Sequence, residues 1–378
     1  MKFIHLSDLH LGKKINGFSM LEDQEYILKK IIEIIDMEKP DCLFAAGDIY
    51  DKSVPQADAV SLFDNFLYEL SKRKIHIFII SGNHDSAERL AFGSRIMDST
   101  GIHISPVYNG EVKPVILQDN FGELAIYMLP FIKPVHIRGF FPDEIIDSFD
   151  TAVRVAISGM QLDLSRRNIL ISHQFVTGAL RSDSEEISVG GSENVNVETY
   201  AGFDYVALGH IHRAQNVGCE TIRYCGTPLK YSFSEINHEK SVSVVDMAEK
   251  GNVKIRTIPL IPMRDMRVLR GSYMELTDRN FYKEINTNDY FKITLTDEED
   301  VPDAIGRLRV IYHNLMQIDY DNTRTRKGQI AEIIEHAEEL SPLKLFEKFY
   351  KKQNNKSLSE AQISYISSII EDIWEDNI

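Results

Sequence analysis

Ile4-His5-Leu6-Ser7-Asp8-Leu9-His10-Leu11-Gly12 is the stretch on which the reading of this chain turns. Its opening is apolar and suited to a short strand, and an aspartate and a histidine then stand two positions apart. Alternate side chains of an extended segment point to one side, so Asp8 and His10 can face one cavity as the strand ends. Taken alone, an Asp-x-His after a strand is equally a turn with a solvated histidine.

Four more clusters each follow directly on a strand: Gly47-Asp48-Ile49-Tyr50-Asp51, Gly82-Asn83-His84-Asp85, Ser172-His173 and Gly209-His210-Ile211-His212. Loops at the carboxyl ends of strands are where open α/β sheets build their sites, so the clusters can converge. Aspartate, neutral imidazole and an amide oxygen form a mixed donor set suited to Mn²⁺, Fe or Zn²⁺, and the lack of paired cysteines argues against a thiolate site. The glycines before Asp48, Asn83 and His210 let the backbone turn sharply or approach a metal or phosphate closely. Asp48, with two carboxylate oxygens, can bridge two cations. Gly-Asp and Gly-Asn are also common turn dipeptides, and His173 alone reads as a hydrogen-bonded core histidine. It is the conjunction, at these strand ends, that points to a metal site.

Around the clusters, strands at 3–6, 42–46, 75–80, 124–129, 169–172, 205–208 and 242–246 alternate with helices at 21–37, 57–70 and 151–164, the pattern of an α/β or layered α+β domain. Pro259-Leu260-Ile261-Pro262 breaks it and marks a boundary. Strands at 267–270 and 291–295 and a helix at 304–315 make a small α+β unit over 266–325, and helices alone follow over 328–378. At 378 residues and 43% hydrophobic content the chain can bury a full core. Three cysteines argue against a disulfide framework and for a reducing cytoplasm. Met1-Lys2-Phe3 runs straight into a strand, and no apolar run approaches the ~18 residues of a membrane span, so neither export nor a membrane role is expected. A formal charge of −15 argues against nucleic acid unless carboxylates hold cations, a basic surface is local or a partner supplies the grip. No Gly-x-Ser-x-Gly elbow and no Walker-type loop is present, which removes acyl transfer by that route and P-loop ATP hydrolysis.

The five clusters, in this order over residues 8–212, resemble the signature of the calcineurin-like metallophosphoesterases: D-x-H, G-D-x-x-D, G-N-H-[DE], a lone H and G-H-x-H. The opening stretch, the second cluster and the chain length narrow the resemblance to the SbcD nuclease family, relatives of the double-strand-break repair nuclease of archaea and eukaryotes. The resemblance implies a β-sandwich flanked by helices over 1–260, a small α+β capping and DNA-binding domain over 266–325, and a C-terminal helical pair over 328–378. It implies two divalent metal ions, Mn²⁺ foremost, one held by Asp8, His10 and His212, the other by Asn83, His173 and His210, with Asp48 bridging. His84 is then no ligand but stabilises the transition state or protonates the leaving oxygen. Asp85 orients it, and Asp51 positions neighbouring loops. Such a metal pair activates water and stabilises attacking and leaving oxygens at phosphorus, so no protein nucleophile is needed.

Also implied are exonuclease action on double-stranded ends, endonuclease action on hairpins or single strands, and a role in DNA repair and recombination. The implied partners are DNA, a second copy, for which the helix over 21–37 is a candidate surface by its location, and an SbcC-type ATPase with a long coiled coil, in the cytoplasm at the nucleoid. A phosphatase or phosphodiesterase of the same superfamily acting on a small molecule is the competing enzyme, but phosphoprotein phosphatases follow G-D-x-x-D with Arg-Gly and carry G-N-H-E, where this chain has Lys52-Ser53 and Asp85. A binding protein with purely structural metals would leave His84 without a role. Lys13, Lys14, Arg89, Arg95 and Arg213 flank the clusters and, with Arg324, Arg326 and Lys327, are the candidate DNA contacts, although most such side chains are merely solvated.

Near the C-terminus, Leu343, Leu345, Phe346, Phe349 and Tyr350 mark one face of a helix opening at Ser341-Pro342. Ser357-x-x-Glu360 reads as the capping box of a second helix, with Ile366, Ile369, Ile370 and Ile373 on one face. These helices pack on the small domain or, as the resemblance implies, grip the coiled-coil base of the SbcC ATPase.

Overall fold

The computed structural model describes residues 1–185, 193–323, 325, 343–344, 346–347, 350 and 358–375. The strands read from the sequence are all present, and most are apolar throughout because both faces are covered. Lys2–Leu6, Cys42–Ala46, His76–Ile80 and Ile102–Ile104 run parallel in one six-stranded sheet, with Ser241–Met247 and Val253–Pro259 antiparallel at its other edge. In the second six-stranded sheet, Gly122–Leu129, Arg167–His173, Tyr205–Gly209 and Cys219–Tyr224 are parallel neighbours between the antiparallel strands Val115–Asp119 and Gln215–Val217.

The period of two along each strand sorts side chains into layers. Phe3, Phe44, Phe78 and Ile80 of the first sheet meet Leu124, Ile126, Ile169, Ile171 and Tyr205 of the second in a core between the sheets. The alternate residues, Ile4, Leu6, Leu43, Ala45, Ile77 and Ile79, face the helices Leu21–Glu38 and Ala57–Ser71. Those of the second sheet, Tyr127, Leu129, Leu170, Val206 and Leu208, pack with the helix Phe149–Ser158. The architecture is the expected sandwich of two sheets between helices. Among the described residues no helix is long and apolar enough to cross a membrane.

Two helices are shorter than their apolar periodicity predicts. The helix read over 151–164 opens earlier, with Ser148 capping the Thr151 amide, and stops at Gly159. That read over 304–315 ends at Arg309, and Asn314–Tyr320 is instead a strand in a three-stranded sheet with Met266–Gly271 and Tyr290–Leu295. Pairing with that sheet overrides a weak local helix preference. The strands Ile102–Ile104, Val115–Asp119 and Val253–Pro259 lie outside the predicted set; two of them are half-exposed and carry the polar residues of edge strands.

By its contacts the chain divides into Met1–Thr294 with Asp303–Asp319, and Leu295–Pro302 with Tyr320–Ile378. Within the second unit, Asn322 Nδ2 donates to the Asp297 carbonyl at 3.1 Å, and Glu360–Glu375 is helical. That helix is capped two residues later than expected: Ser359 and Gln362 bond reciprocally, each amide reaching the other's side-chain oxygen at 2.9 and 3.4 Å. Ser357, Leu345, Phe349, Arg324, Arg326 and Lys327 lie outside the described residues.

Candidate metal centre

The parallel strands of both sheets deliver their carboxyl ends to one place, and hydrogen bonds lace the loops together there. Asp8 N donates to the Gly47 carbonyl at 3.0 Å and His10 N to that of Asp48 at 2.9 Å. His84 N donates to Asp48 Oδ1 at 2.9 Å, and His210 N to Asp8 Oδ1 at 3.0 Å. Asp8, His10, Asp48 and His210 have φ of 53°, 45°, 49° and 98°, a region unfavourable to side-chain-bearing residues. Such strain persists where the surroundings over-determine it, as this lacing does. The glycines are needed for close approach: a Cβ on Gly82 would lie 2.1 Å from Asp48 Oδ1, and one on Gly209 would lie 1.9 Å from the Ala46 carbonyl oxygen.

Asp8, His10, Asp48, Asn83, His173, His210 and His212 converge in this buried cluster. His10 Nε2 and His212 Nε2 are 3.2 Å apart, and Asp8 completes a trio with them in which one donor atom from each lies within 4.8 Å of the others. On the other side, Asn83 Oδ1 lies 3.0 Å from His173 Nε2 and 2.9 Å from His210 Nδ1. Between the two sets stands Asp48, whose Oδ2 is 3.3 Å from His173 Nε2, 3.7 Å from His10 Nε2 and 4.0 Å from His84 Nε2.

The electrostatics are those of a cage built for cations. Burial, reinforced by the charge of Asp48, pushes the Asp8 carboxyl up to about 6. Burial alone would raise Asp48 too, yet His173 above all, with His10 and His84, holds it well below the carboxylate range. His173 is held up at about 9 against the pull of burial by Asp48 and Asp8. Burial keeps His10 and His210 neutral, the latter lowered to about 3. His10 Nδ1 and His210 Nε2 are buried with no hydrogen-bond partner. Facing imidazole nitrogens beside two buried carboxylates fit divalent metal.

His84 is partly exposed at the edge of the cluster, and its Nδ1 lies 3.0 Å from the Asp51 carbonyl oxygen. That carbonyl, not the Asp85 carboxylate, orients the ring. Asp85 instead accepts from the amides of Gly82, Ile49 and Tyr50 at 2.9, 3.1 and 2.9 Å, so it ties the second and third clusters together. The Asp51 carboxylate takes Lys13 Nζ at 2.7 Å, which engages one candidate DNA contact within the protein. Lys14, Arg89, Arg95 and Arg213 are exposed.

Sequence reasoning missed the residues behind His212: Ser184, Glu185, Glu235 and Lys240. Glu235, fully buried, is held at about 2 against burial by His212, whose Nδ1 lies 3.5 Å away, and by the charge of Lys240. The Ser-x-x-Glu spacing of Ser232-Phe233-Ser234-Glu235 signals only a capped turn, which Ser232 does cap, while the Glu235 side chain is turned to Ser184 and Lys240.

Two family patterns match the chain: calcineurin-like phosphoesterase over residues 1–214, and the SbcD C-terminal family, described as type 5 capsule protein repressor C-terminal domain, over residues 262–354. The SbcD component of nuclease SbcCD from Staphylococcus epidermidis is 31% identical, with 98% of each chain covered. This chain belongs to the SbcD family of calcineurin-like phosphoesterases. The Staphylococcus saprophyticus member is 32% identical over 100% of this chain and 99% of its own. Among solved structures, a dimetal phosphatase from Danio rerio is a distant likeness, 13% identical with a TM-score of 0.40 over 69% of this chain and 99% of that one. Family membership and the clustered donors together make this a hydrolase-type, divalent-metal-binding chain.

Proposed function

We propose that the chain is a two-metal DNA nuclease, the catalytic partner of an SbcC-type ATPase. The observation that carries the reading is the convergence of six expected ligands around the seventh, Asp48, with His84 beside them and partly exposed. Asp8, His10 and His212 hold one ion, Asn83, His173 and His210 the other. Asp48, between the two sets and steadied at Oδ1 by the His84 amide, would be shared by the two ions. A divalent pair in such a cage supplies an activated water and charge stabilisation at phosphorus, with Mn²⁺ the expected metal. His84, its Nδ1 held by the Asp51 carbonyl, presents Nε2 to the leaving oxygen and supplies a proton or a hydrogen bond.

Exonuclease action on duplex ends and endonuclease action on hairpins and single strands, in DNA repair and recombination, complete the reading. Supporting a DNA substrate are the relatives, named as components of nuclease SbcCD, and a match along their whole length. Residues 1–260 carry the chemistry, 266–325 cap it and bind DNA, and 328–378 engage SbcC. For the homodimer, the first helix is the candidate surface, and a groove of about 440 Å³ between it and the second has an apolar floor of Leu28, Ile32, Leu62 and Phe66 with charged Glu25, Lys29, Asp58 and Glu69 around it.

Manganese-dependent hydrolysis of bis-p-nitrophenyl phosphate against p-nitrophenyl phosphate separates diesterase, monoesterase and inert scaffold. End-labelled duplex and hairpin DNA, with and without SbcC and ATP, then tests the substrate. Activity confined to the monoester would overturn the reading.

A further inference from the structure

His212 is fastened at every polar atom but one. Its amide donates to Glu185 Oε1 at 2.7 Å, and its carbonyl accepts from Lys240 Nζ at 2.9 Å. Nδ1 lies 2.6 Å from Ser184 Oγ, and the Ser184 hydroxyl reaches Glu235 Oε1 at 2.5 Å. Glu235 in turn pairs with Lys240 at 2.5 Å, and Lys240 also donates to Thr227 Oγ1 at 2.6 Å. Only Nε2 is left, and it faces His10 Nε2.

The direction of these bonds is forced. An ionised carboxylate can only accept, so Ser184 must donate to Glu235 and has only a lone pair to offer His212. Nδ1 of His212 therefore carries the hydrogen, and Nε2 carries the lone pair that faces the cluster. On the opposite side of the centre the same task falls to the backbone, since His173 Nδ1 meets the Ala46 carbonyl at 2.8 Å. One histidine on each side of the centre is thus set from behind, His173 by main chain and His212 by a buried ion pair and a hydroxyl. Net stabilisation is a weak explanation for a Lys–Glu pair exposed to 7% and 0%, because desolvation offsets most of the attraction. Orienting a ligand accounts for it directly.

We propose that Glu235 and Lys240, acting through Ser184, are positioning residues that fix the His212 tautomer and thereby set the affinity for one metal ion of the pair and not the other. This rests on the assignment of His212 as a ligand.

The test is Mn²⁺ titration of the full-length chain by calorimetry, with electron paramagnetic resonance to tell a spin-coupled pair from isolated ions. In Glu235→Gln one of two binding steps weakens by about 10- to 100-fold while the other holds, and the coupled signal gives way to an isolated-ion signal at limiting manganese. Ser184→Ala, on a half-exposed loop position with no buried charge to strand, weakens the same step by less; Ser184→Thr restores it. His212→Ala abolishes that step. Normal two-step binding and coupling in both Glu235→Gln and Ser184→Ala, with the step lost in His212→Ala, overturns the positioning role alone. Normal binding in His212→Ala overturns the ligand assignment beneath it. Should Glu235→Gln fail to fold, Ser184→Ala against Ser184→Thr decides.

Discussion

The metal centre and the helix Glu360–Glu375 use their residues in opposite ways. At the centre, polar side chains are buried, and Asp8, Asp48 and His173 are exposed by no more than 2% while they face one another. Along the helix, apolar side chains lie open: Tyr365 is 67% exposed and Ile369 36%. Burying polar groups costs free energy unless they are satisfied, and exposing apolar groups forgoes burial. On the reading proposed above, the first cost is met by bound cations and the second by a partner that covers the helix.

The sharpest way to break this contrast is Asp48→Ala. Its Oδ2 stands between both histidine sets, so its removal leaves two half sets of ligands. Both metal ions and all cleavage are lost, as read by elemental analysis and diester hydrolysis. Two retained ions with normal turnover would refute the bridging role.

His84→Ala separates chemistry from binding within the same centre. Metal content stays near that of the parent chain, and turnover falls by roughly 10² to 10⁴. Loss of metal in this variant would make His84 a ligand instead.

Acid should loosen the body of the chain in a way that marks where polar groups are buried. His5 and His210 are lowered by burial to about 3 and His10 well below its usual value. The unfolded chain takes up these protons near 6.5 and the folded chain does not, so their stabilising contribution is complete above 6.5 and lost as pH falls toward about 3. Asp8 and Asp85, raised to about 6, act in the opposite sense: their contribution is complete below 3.8 and lost as pH rises through 6. His173, held up at about 9, acts in the same sense as the carboxyls but keeps its proton throughout the window. The proton uptake of the three lowered histidines on unfolding exceeds these opposing contributions, and the Tm in chelator falls between about pH 7 and 5. Manganese steepens the fall, because protons compete for the ligands. A flat profile in chelator would mean that the histidines are not held neutral.

How legible each region was in the sequence follows from the same contrast. The donors at the centre were readable because residue type and spacing carry the chemistry, and a parallel strand buried on both faces announces itself as an apolar run. The Ser184–Glu235–Lys240 network was not, since its members lie scattered and only folding brings them behind His212. The family resemblance assigned Asp85 to His84, while in space its carboxylate is taken up by three loop amides. The helix expected over 304–315 failed for the related reason that strand pairing is non-local.

The C-terminal region should matter least to the centre. Deleting residues 340–378 removes the helix with its exposed Tyr365 and Ile369 together with the stretch holding Leu343, Phe346 and Tyr350. Every side chain of the cage comes from residues 8–212, far from the deleted stretch in sequence. Metal content and partner-independent manganese-dependent cleavage therefore stay largely unchanged. Stable association with SbcC and ATP-stimulated cleavage of duplex ends are lost, because the apolar face that the partner would cover is gone. The measurement is co-purification with SbcC beside cleavage by the truncated chain alone. Full-strength capture of SbcC would sink the idea. Loss of solubility on truncation would show instead that the helices cover the protein's own small domain, and the exposure of Tyr365 and Ile369 would then need another account.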